Sequence, residues 1–261
     1  MTQMEGNSSE GVFGRKLVFC DRLQEFDTDE LVLTCGDCRD YFLFCCHHSQ
    51  HHDSSDSNGD GGDGDDDDDD NDNNDDDDDA NDNDRICHHF RLIFTDGACS
   101  RNGQSGAVSG IGIAIGDSPD SQKAIPITMT IDGHHPRTNQ RAELLAALQG
   151  LDYVADKDES NVDFAEKSLK AHMARRTWII ATDSVYVVKG ITEWFPTWKR
   201  KNFRTVQNKK PANLDLFLEL DAAITARKKL ENVNIGFWHV PREYNTVADA
   251  LAKKAAQDGD E

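Results

Sequence analysis

No apolar run in this 261-residue chain approaches the roughly 20 residues that a membrane-spanning helix requires. The N-terminal sequence, MTQMEGNSSEG, lacks the apolar core of a secretory signal peptide. We therefore expect an intracellular protein, in the nucleus or the cytoplasm, with no signal peptide and no membrane partner. In such a reducing compartment the seven cysteines are expected to be thiols or metal ligands rather than a disulfide framework.

Residues 53–84 contain no Lys or Arg. They include 18 Asp and otherwise consist of Asn, Gly and Ser, apart from Ala80. A segment that repels itself and has no apolar surface to bury is expected to be disordered. The net charge of −21 is mostly a property of this acidic tract, because residues 85–261 carry 24 Lys and Arg against 22 Asp and Glu. A near-neutral domain can still bind a polyanion if its basic residues are clustered.

Residues 1–52 have too little apolar content to build a robust core unaided. They end, however, in the pattern C-x2-C-x6-C-C-H-H. A C-x2-C pair and a second Cys/His pair can form a tetrahedral Zn²⁺ site, which would stabilise so small a segment. The candidate zinc ligands are Cys35, Cys38, Cys45 and His47. Free thiols followed by a loose histidine-rich tail are the alternative.

A second group of metal-ligand residues, Cys87-His88-His89, follows the acidic tract directly. The tract could therefore be an insertion that is looped out between two halves of one metal-rich lobe. Closing a long flexible loop costs only slowly more free energy as its length grows, so this hypothesis is energetically reasonable.

Residues 85–261 are expected to form one compact α/β domain. Period-2 and short buried apolar runs predict five strands, at Phe90–Thr95, Ile111–Ile115, Ile125–Ile131, Trp178–Thr182 and Val233–Val240. Helical spacing predicts a helix from Asn139, capped by Thr138 or Asn139, and further helices at Ser184–Trp194, at Asn213–Leu230 and after Asn245. The order predicts a mixed five-stranded sheet with helices on its faces.

Four short strings in this domain each place one carboxylate inside or beside an apolar element. They are TDGAC, TNQRAELLAAL, ATDSVYVV and NTVADALAKKA, and their carboxylates are Asp96, Glu143, Asp183 and Asp249. An unpaired charge is costly in such a position, so four of them in one domain suggest a shared task. Mg²⁺ prefers hard oxygen ligands and completes its shell with substrate phosphate and water, which makes a phosphodiester site the natural interpretation.

The four strings, in this order, resemble the signature blocks of the type 1 ribonuclease H family. The basic segment Glu193–Phe217 also resembles that family's basic protrusion and the helix that follows it. The resemblance covers roughly Phe90 to Ala256 and identifies residues 85–261 as a ribonuclease H domain, behind a Cys/His-rich segment at 1–52 and the tract at 53–84. It implies a ribonuclease H-like fold.

The resemblance also implies an activity, namely endonucleolytic hydrolysis of the RNA strand of RNA–DNA hybrids to 3′-hydroxyl and 5′-phosphate ends. The four carboxylates would hold two Mg²⁺ ions, for which Mn²⁺ can substitute. The expected partner is the hybrid, and the protein is expected to be a monomer. The alternative is a catalytically weak ribonuclease H-like module that only binds nucleic acid.

Several positions match family residues that contact the hybrid. They are Asn102, Thr138, Asn139, Arg141 and Asn245, to which the basic arm adds Trp198, Lys199, Arg200 and Lys201. Polar side chains there could bond the 2′-hydroxyl, which distinguishes RNA from DNA. Basic residues interleaved with aromatic rings suit backbone tracking. A helix cap at Thr138 or Asn139, and a solvated basic loop around buried tryptophans, are the structural alternatives.

The loop before the last helix departs from the family pattern. The family usually carries a histidine there, and counting back from Asn245 without gaps reaches His239, in the string FWHVPRE. That context suggests a strand end instead, and a shortened loop would put Arg242 in this place. Arginine can stabilise phosphate charge but cannot shuttle a proton at neutral pH.

Overall fold

The computed structural model describes residues 11–21, 23–44, 88–160 and 176–259. The acidic tract and the candidate zinc ligands Cys45 and His47 lie outside these ranges. Within them, no helix is both long and apolar enough to cross a membrane.

The described residues form one nine-stranded sheet. Its strands are β1 (Gly11–Phe13), β2 (Lys16–Val18), β3 (Val32–Thr34), β4 (Tyr41–Leu43), β5 (Phe90–Cys99), β6 (Ser109–Ala114), β7 (Gln122–Pro126), β8 (Thr177–Thr182) and β9 (Asn234–His239). From one edge the order is β1-β2-β9-β8-β5. Strand β5 is long enough to pair with two partners on its other side: β6 lies beside its second half, with β7 beyond, and the β3–β4 hairpin lies beside its first half. The β2-β9-β8-β5 pairings are parallel and the rest antiparallel.

Helices cover the sheet. They are α1 (Thr28–Leu31), α2 (Met129–Asp132), α3 (Asn139–Ser160), α4 (Val185–Lys189), α5 (Phe195–Arg200), α6 (Leu214–Leu230) and α7 (Thr246–Asp258), with a π-helical turn at Gly190–Trp194 that joins α4 to α5. The mixed sheet flanked by helices confirms the predicted fold class, with β5–β9 as the five predicted strands. Thr138 caps α3, because its Oγ1 accepts a hydrogen bond from the backbone N–H of Arg141 at 3.3 Å.

One predicted strand was wrong in part. The apolar alternation over Ile125–Ile131 predicts a strand there, but β7 occupies Gln122–Pro126 and ends where Pro126 pairs with Gly110, near the start of β6. The remaining apolar residues belong to an extended link and to the single turn of α2, which begins after Thr128. A strand end followed by one helical turn repeats apolar residues at nearly the spacing of a strand, so the sequence pattern does not separate the two.

Successive side chains of the central strands point to opposite faces of the sheet, and this produces two hydrophobic cores. Ile93, Trp178, Ile180 and Phe237 face one side, where α3 and α6 cover them. Phe90, Leu92, Phe94 and Trp238 face the other side. There α7 covers the β6 end, and Leu17, Leu23, Leu31 and Leu43 from the N-terminal segment pack against the rest. Residues 11–44 thus complete both the sheet and the second core, a role that the sequence did not predict.

Candidate active site

All four predicted carboxylates meet in one open pocket of about 460 Å³, although they come from four different elements. Asp96, Glu143, Asp183 and Asp249 line it together with Asn139, Arg242 and Lys253. Each of the four carboxylates is only partly buried, so each can reach a ligand from solvent.

The sheet register places the first two carboxylates side by side. Strands β5 and β8 are parallel neighbours in which Phe94 pairs with Ala181. Asp96 and Asp183 each lie two residues further along, at the carboxyl edge of the sheet. Sites in open α/β sheets gather at this edge.

Glu143 reaches the same edge because α3 passes unusually close to β5. A Cβ atom on Gly97 would lie 2.2 Å from the Ala142 carbonyl carbon and from the Glu143 nitrogen, so no larger residue fits while α3 stays in place. The glycine of the string TDGAC therefore sets the approach of α3 and, through it, the position of Glu143 beside Asp96.

Ser184 holds the Glu143 carboxylate. As the N-cap of α4 it accepts a hydrogen bond from the Val187 N–H at 3.2 Å, and its hydroxyl donates to Glu143 Oε2 at 2.6 Å. A short bond from a residue that is itself fixed by a helix cap restricts Glu143 to one orientation.

Asn245 holds Asp183 in a similar way. Its side chain is buried, and Nδ2 donates to the Thr95 carbonyl at 3.1 Å and to Asp183 Oδ1 at 2.9 Å. The same residue is the N-cap of α7. One amide thus connects β5, the end of β8 and the helix that carries Asp249.

Asp249 lies between two cations. Arg242 Nη2 is 2.9 Å from Oδ1, and Lys253 Nζ, one helical turn further on, is 2.6 Å from Oδ2. Burial alone would raise the pKa of Asp249, but the hydrogen bonds from Lys253 and Arg242 outweigh burial and lower it. His239, in contrast, is an exposed residue at the end of β9, opposite Thr182, and is not among the residues that line the pocket.

Burial and neighbouring charges shift the pKa values of Asp96 and Glu143 in the opposite direction. Burial, and then the charges of Asp183 and Asp249, raise the pKa of Asp96 to about 7. Burial also raises the pKa of Glu143, against the hydrogen bond from Ser184, and repulsion from Asp183 adds to this rise. Two neighbouring carboxyl groups that resist ionisation have the electrostatics expected of ligands to a divalent cation.

Three of the predicted substrate-contacting residues line the carboxylate pocket or a second pocket. Asn139 is exposed and lines the carboxylate pocket, and its backbone N–H donates to Asn102 Oδ1 at 3.0 Å. Thr138 and Arg141 line a second pocket of about 320 Å³, together with Asn213 and Lys210. Arg141 is buried there between two carboxylates, with Asp132 at 2.5 Å and Asp215 at 2.8 Å.

The basic arm (Trp198–Lys201) packs against aromatic side chains. Trp198 is only partly exposed and meets Phe217 edge-on at a centroid distance of 5.3 Å. Lys199 is ion-paired with Asp221 at 3.0 Å. Arg200 and Lys201 are exposed at the end of α5, where they face solvent. The arm therefore presents charge outward while its tryptophan anchors it to the core.

A separate group of metal-ligand side chains lies in the N-terminal part. The ligand atoms of Cys35, Cys38 and His88 all fall within 4.8 Å of one another. The C-x2-C pair was predicted to bind zinc, whereas His88 was considered only as part of the looped-out hypothesis.

Sequence reasoning missed the residues that orient the carboxylates. Ser184 was recognised only as the start of a helix, and Lys253 was not singled out. A signal existed for Lys253, because a lysine four residues after an aspartate on one helix is positioned to pair with it.

Comparison with known proteins agrees with this geometry. A sequence profile described as RNase H matches residues 89–257. A ribonuclease H of Treponema denticola is 33% identical over 165 residues, which cover 63% of this chain and 96% of that protein. A ribonuclease H of Thermosynechococcus vestitus is 36% identical over 135 residues, or 51% of this chain and 70% of that one.

The match to ribonuclease H1 of Rattus norvegicus is 28% identical over 168 residues, or 64% of this chain and 49% of the relative. This chain thus spans about half the length of the mammalian protein. Because the profile covers well over half of the chain, and because its bounds enclose all four carboxylates, the chain belongs to the ribonuclease H family.

Proposed function

We propose that this protein is a metal-dependent endonuclease that hydrolyses the RNA strand of RNA–DNA hybrids by a two-metal mechanism. One observation carries the proposal: four carboxylates from four separate elements line a single open pocket. The family relatives whose names state a ribonuclease H activity support it.

The donor set fits Mg²⁺. Asp96, Glu143, Asp183 and Asp249 offer only carboxylate oxygens, the ligand type that Mg²⁺ and Mn²⁺ prefer. Burial, and then the neighbouring carboxylate charges, raise the pKa values of Asp96 and Glu143, and divalent cations would offset both effects. We propose that these four residues hold two ions. Bound there, the ions would supply Lewis-acid stabilisation of the phosphate charge and a water of lowered pKa.

The chain's own contribution is orientation. Ser184 fixes Glu143 and Asn245 fixes Asp183 through the hydrogen bonds described above. Asn245 was predicted to contact the substrate, but its burial and its bonds favour a positioning role behind Asp183. Supporting residues of this kind keep ligand carboxylates within the narrow range of productive geometry.

Arg242 takes the place that the family usually gives to a histidine. It lines the pocket, and its guanidinium is 71% exposed although it is paired with Asp249. Because it cannot release a proton at neutral pH, we propose that it stabilises negative charge on the scissile phosphate or on the leaving oxygen. Its pairing also keeps Asp249 ionised and ready to bind a cation.

Substrate recognition is proposed to extend from the carboxylate pocket over the second pocket to the basic arm. Asn139 lines the carboxylate pocket and its backbone N–H donates to Asn102, and we propose that both side chains contact the 2′-hydroxyls in the minor groove of the hybrid. Thr138 and Lys210 in the second pocket would contact the sugar–phosphate backbone. Arg200 and Lys201 would add electrostatic attraction that does not depend on sequence.

The test is cleavage of an end-labelled RNA–DNA hybrid with Mg²⁺, compared between the wild type and Asp183→Asn. Single-stranded RNA, duplex RNA and duplex DNA serve as substrate controls, and the surface substitution Asp120→Asn serves as the protein control. We expect cleavage of the hybrid alone, lost in Asp183→Asn and kept in Asp120→Asn.

Isothermal titration with Mg²⁺ separates binding from chemistry. We expect the wild type to bind Mg²⁺ and Asp183→Asn to bind it much more weakly. Tight hybrid binding without cleavage would overturn the enzymatic proposal in favour of a nucleic-acid-binding module. Cleavage of duplex RNA at an equal rate would overturn the proposed specificity.

A further inference from the structure

A second site of metal-ligand side chains lies at the opposite end of β5 from the carboxylates. Cys35, Gly36, Asp37 and Cys38 form the turn that joins β3 to β4, and His88 lies two residues before β5 begins. Strand β5 carries Asp96 eight residues after His88. At about 3.3 Å per residue the cysteine–histidine group is therefore roughly 25 Å from the carboxylate pocket and independent of it.

The turn has the form of a metal-binding knuckle. Hydrogen bonds hold both backbone polar groups of Cys35. Its N–H donates to the Asp40 carbonyl, and its carbonyl accepts from the Arg39 N–H, both at 3.0 Å. Arg39 adopts a left-handed conformation with φ 62°, which turns the chain back after the second cysteine. The two thiols lie beside the His88 ring, with the three ligand atoms within 4.8 Å of one another.

The three side chains are already close enough to share one ion. His88 Nε2 lies 3.3 Å from Cys35 Sγ and 4.0 Å from Cys38 Sγ. Two ligands of one tetrahedral zinc ion, with bonds of about 2.0–2.3 Å, are separated by about 3.3–3.8 Å, so only a small adjustment is needed. The imidazole is held in place by the buried Phe42 ring, at a centroid distance of 4.3 Å.

We propose that Cys35, Cys38 and His88 bind a structural Zn²⁺ ion that fastens the β3–β4 hairpin to the start of the catalytic strand β5. Thiolate and imidazole ligands together select Zn²⁺ over Mg²⁺, which the carboxylate pocket prefers. Structural zinc sites usually have four ligands. Cys45 and His47, which the sequence predicts as ligands, lie outside the described residues, and the proposal rests on the three described ones.

The ion would act as a cross-link between two distant parts of the chain. It joins positions 38 and 88, which are 50 residues apart, and thereby closes the loop that contains the acidic tract. Strand β4 shares only a short pairing with β5, at Phe42 and Arg91, and the ion pair between Asp40 and Arg91 at 2.5 Å is its neighbour. A cross-link at this point restricts the unfolded chain and holds the hairpin in the sheet.

The test is the zinc content of the full chain after dialysis under reducing conditions, measured by mass spectrometry of the metals. We expect one zinc per chain in the wild type, and loss of zinc in Cys35→Ser, Cys38→Ser and His88→Asn. Two matched controls should keep it: Cys99→Ser, and His89→Asn next to the proposed ligand. Zinc that is absent from the wild type, or that persists in all three ligand variants, would overturn the proposal.

A measurement on the wild-type chain alone covers the case in which a variant fails to fold. Alkylation of Cys38, mapped by peptide mass spectrometry, should be slow with zinc and fast after zinc has been chelated. Protection of Cys45, Cys46 or Cys87 together with Cys38 would support the site and identify a fourth thiolate. Equal rates with and without zinc, or a Cys35–Cys38 disulfide in the reduced preparation, would contradict it.

Discussion

Asn245 bridges Thr95 and Asp183, donating one amide hydrogen to the backbone of β5 and the other to the carboxylate at the end of β8. We expect Asn245→Ala to lower kcat about 10- to 100-fold with little change in hybrid affinity, because Asp183 loses its orientation and no substrate contact is removed. Steady-state kinetics as a function of Mg²⁺ concentration would measure this and should show weaker apparent Mg²⁺ binding.

The matched control for this substitution is Asn234→Ala, at the far end of β9. A rise in KM for the hybrid at unchanged kcat would contradict the positioning role, since it would indicate that Asn245 contacts substrate directly.

Arg242 and His239 can be distinguished by paired substitutions. Because Arg242 lies in the pocket and His239 does not, we expect Arg242→Ala to lower kcat roughly 10- to 100-fold, less than the loss of a buried oxyanion donor because this guanidinium is exposed. Arg242→Lys should recover part of the loss, since a charge remains. His239→Ala should retain at least about half of the wild-type rate, because its ring lies outside the pocket. If His239→Ala instead lowers kcat more than Arg242→Ala does, the catalytic role belongs to His239.

The basic arm can be tested by its response to salt. Each Lys or Arg that neutralises a phosphate contributes about 0.7–0.9 to the slope of log affinity against log salt. Arg200→Gln and Lys201→Gln should each flatten this slope, measured by hybrid binding without Mg²⁺. Lys199→Gln should flatten it less, because Lys199 is already paired with Asp221. An unchanged slope in the Arg200/Lys201 double variant would contradict a role in binding.

The ion pair between Arg15 and Asp221 links the N-terminal segment to α6 and gives stability a pH dependence. Burial alone would raise the pKa of Asp221, but hydrogen bonds from Arg15 and Lys199 outweigh burial and lower it. The ionised form is thus favoured by folding, and its contribution is present above the ordinary aspartate pKa and lost as the pH falls through the lowered folded value.

We therefore expect Asp221→Asn to lower the free energy of unfolding by about 1 kcal/mol at neutral pH. The difference from the wild type should shrink below about pH 4, where the unfolded carboxyl protonates. Urea denaturation at a series of pH values would measure it, with the exposed Asp156→Asn as the control. A difference that stays constant down to acid pH would show that the loss comes from packing and not from charge.

The strands and helices that carry the four carboxylates could be predicted from the sequence for a physical reason. Asp96 and Asp183 directly follow buried apolar runs, and Glu143 and Asp249 follow recognisable helix starts, so local pattern alone places each carboxylate. The contacts of Ser184 with Glu143 and of Asn245 with Asp183 join residues 41 and 62 positions apart. Such pairings depend on how elements pack, which no local pattern records. The same holds for His88, whose approach to Cys35 depends on the pairing of β4 with β5.

The N-terminal segment was the least predictable part. Its short apolar stretches are too weak to indicate an independent core. Leu17, Leu23 and Leu43 are instead completed by Leu92 and Trp238 of the other half, forming one shared core. When apolar residues are buried only by residues from a distant part of the chain, neither part shows the periodic apolar pattern of a complete core.

The pairing of Phe42 with Arg91 means that the chain leaves the sheet after β4 and returns to it on the adjacent strand. Strand pairing therefore joins the two halves in addition to the covalent link through residues 45–87. A protein nicked once in that interval should persist as a two-chain complex. The two pieces, produced separately, should reconstitute in trans, whereas the larger piece alone would leave Leu92 and Trp238 open to solvent. We accordingly expect changes in the length of the acidic tract to leave the architecture of residues 11–44 and 88–259 unaltered.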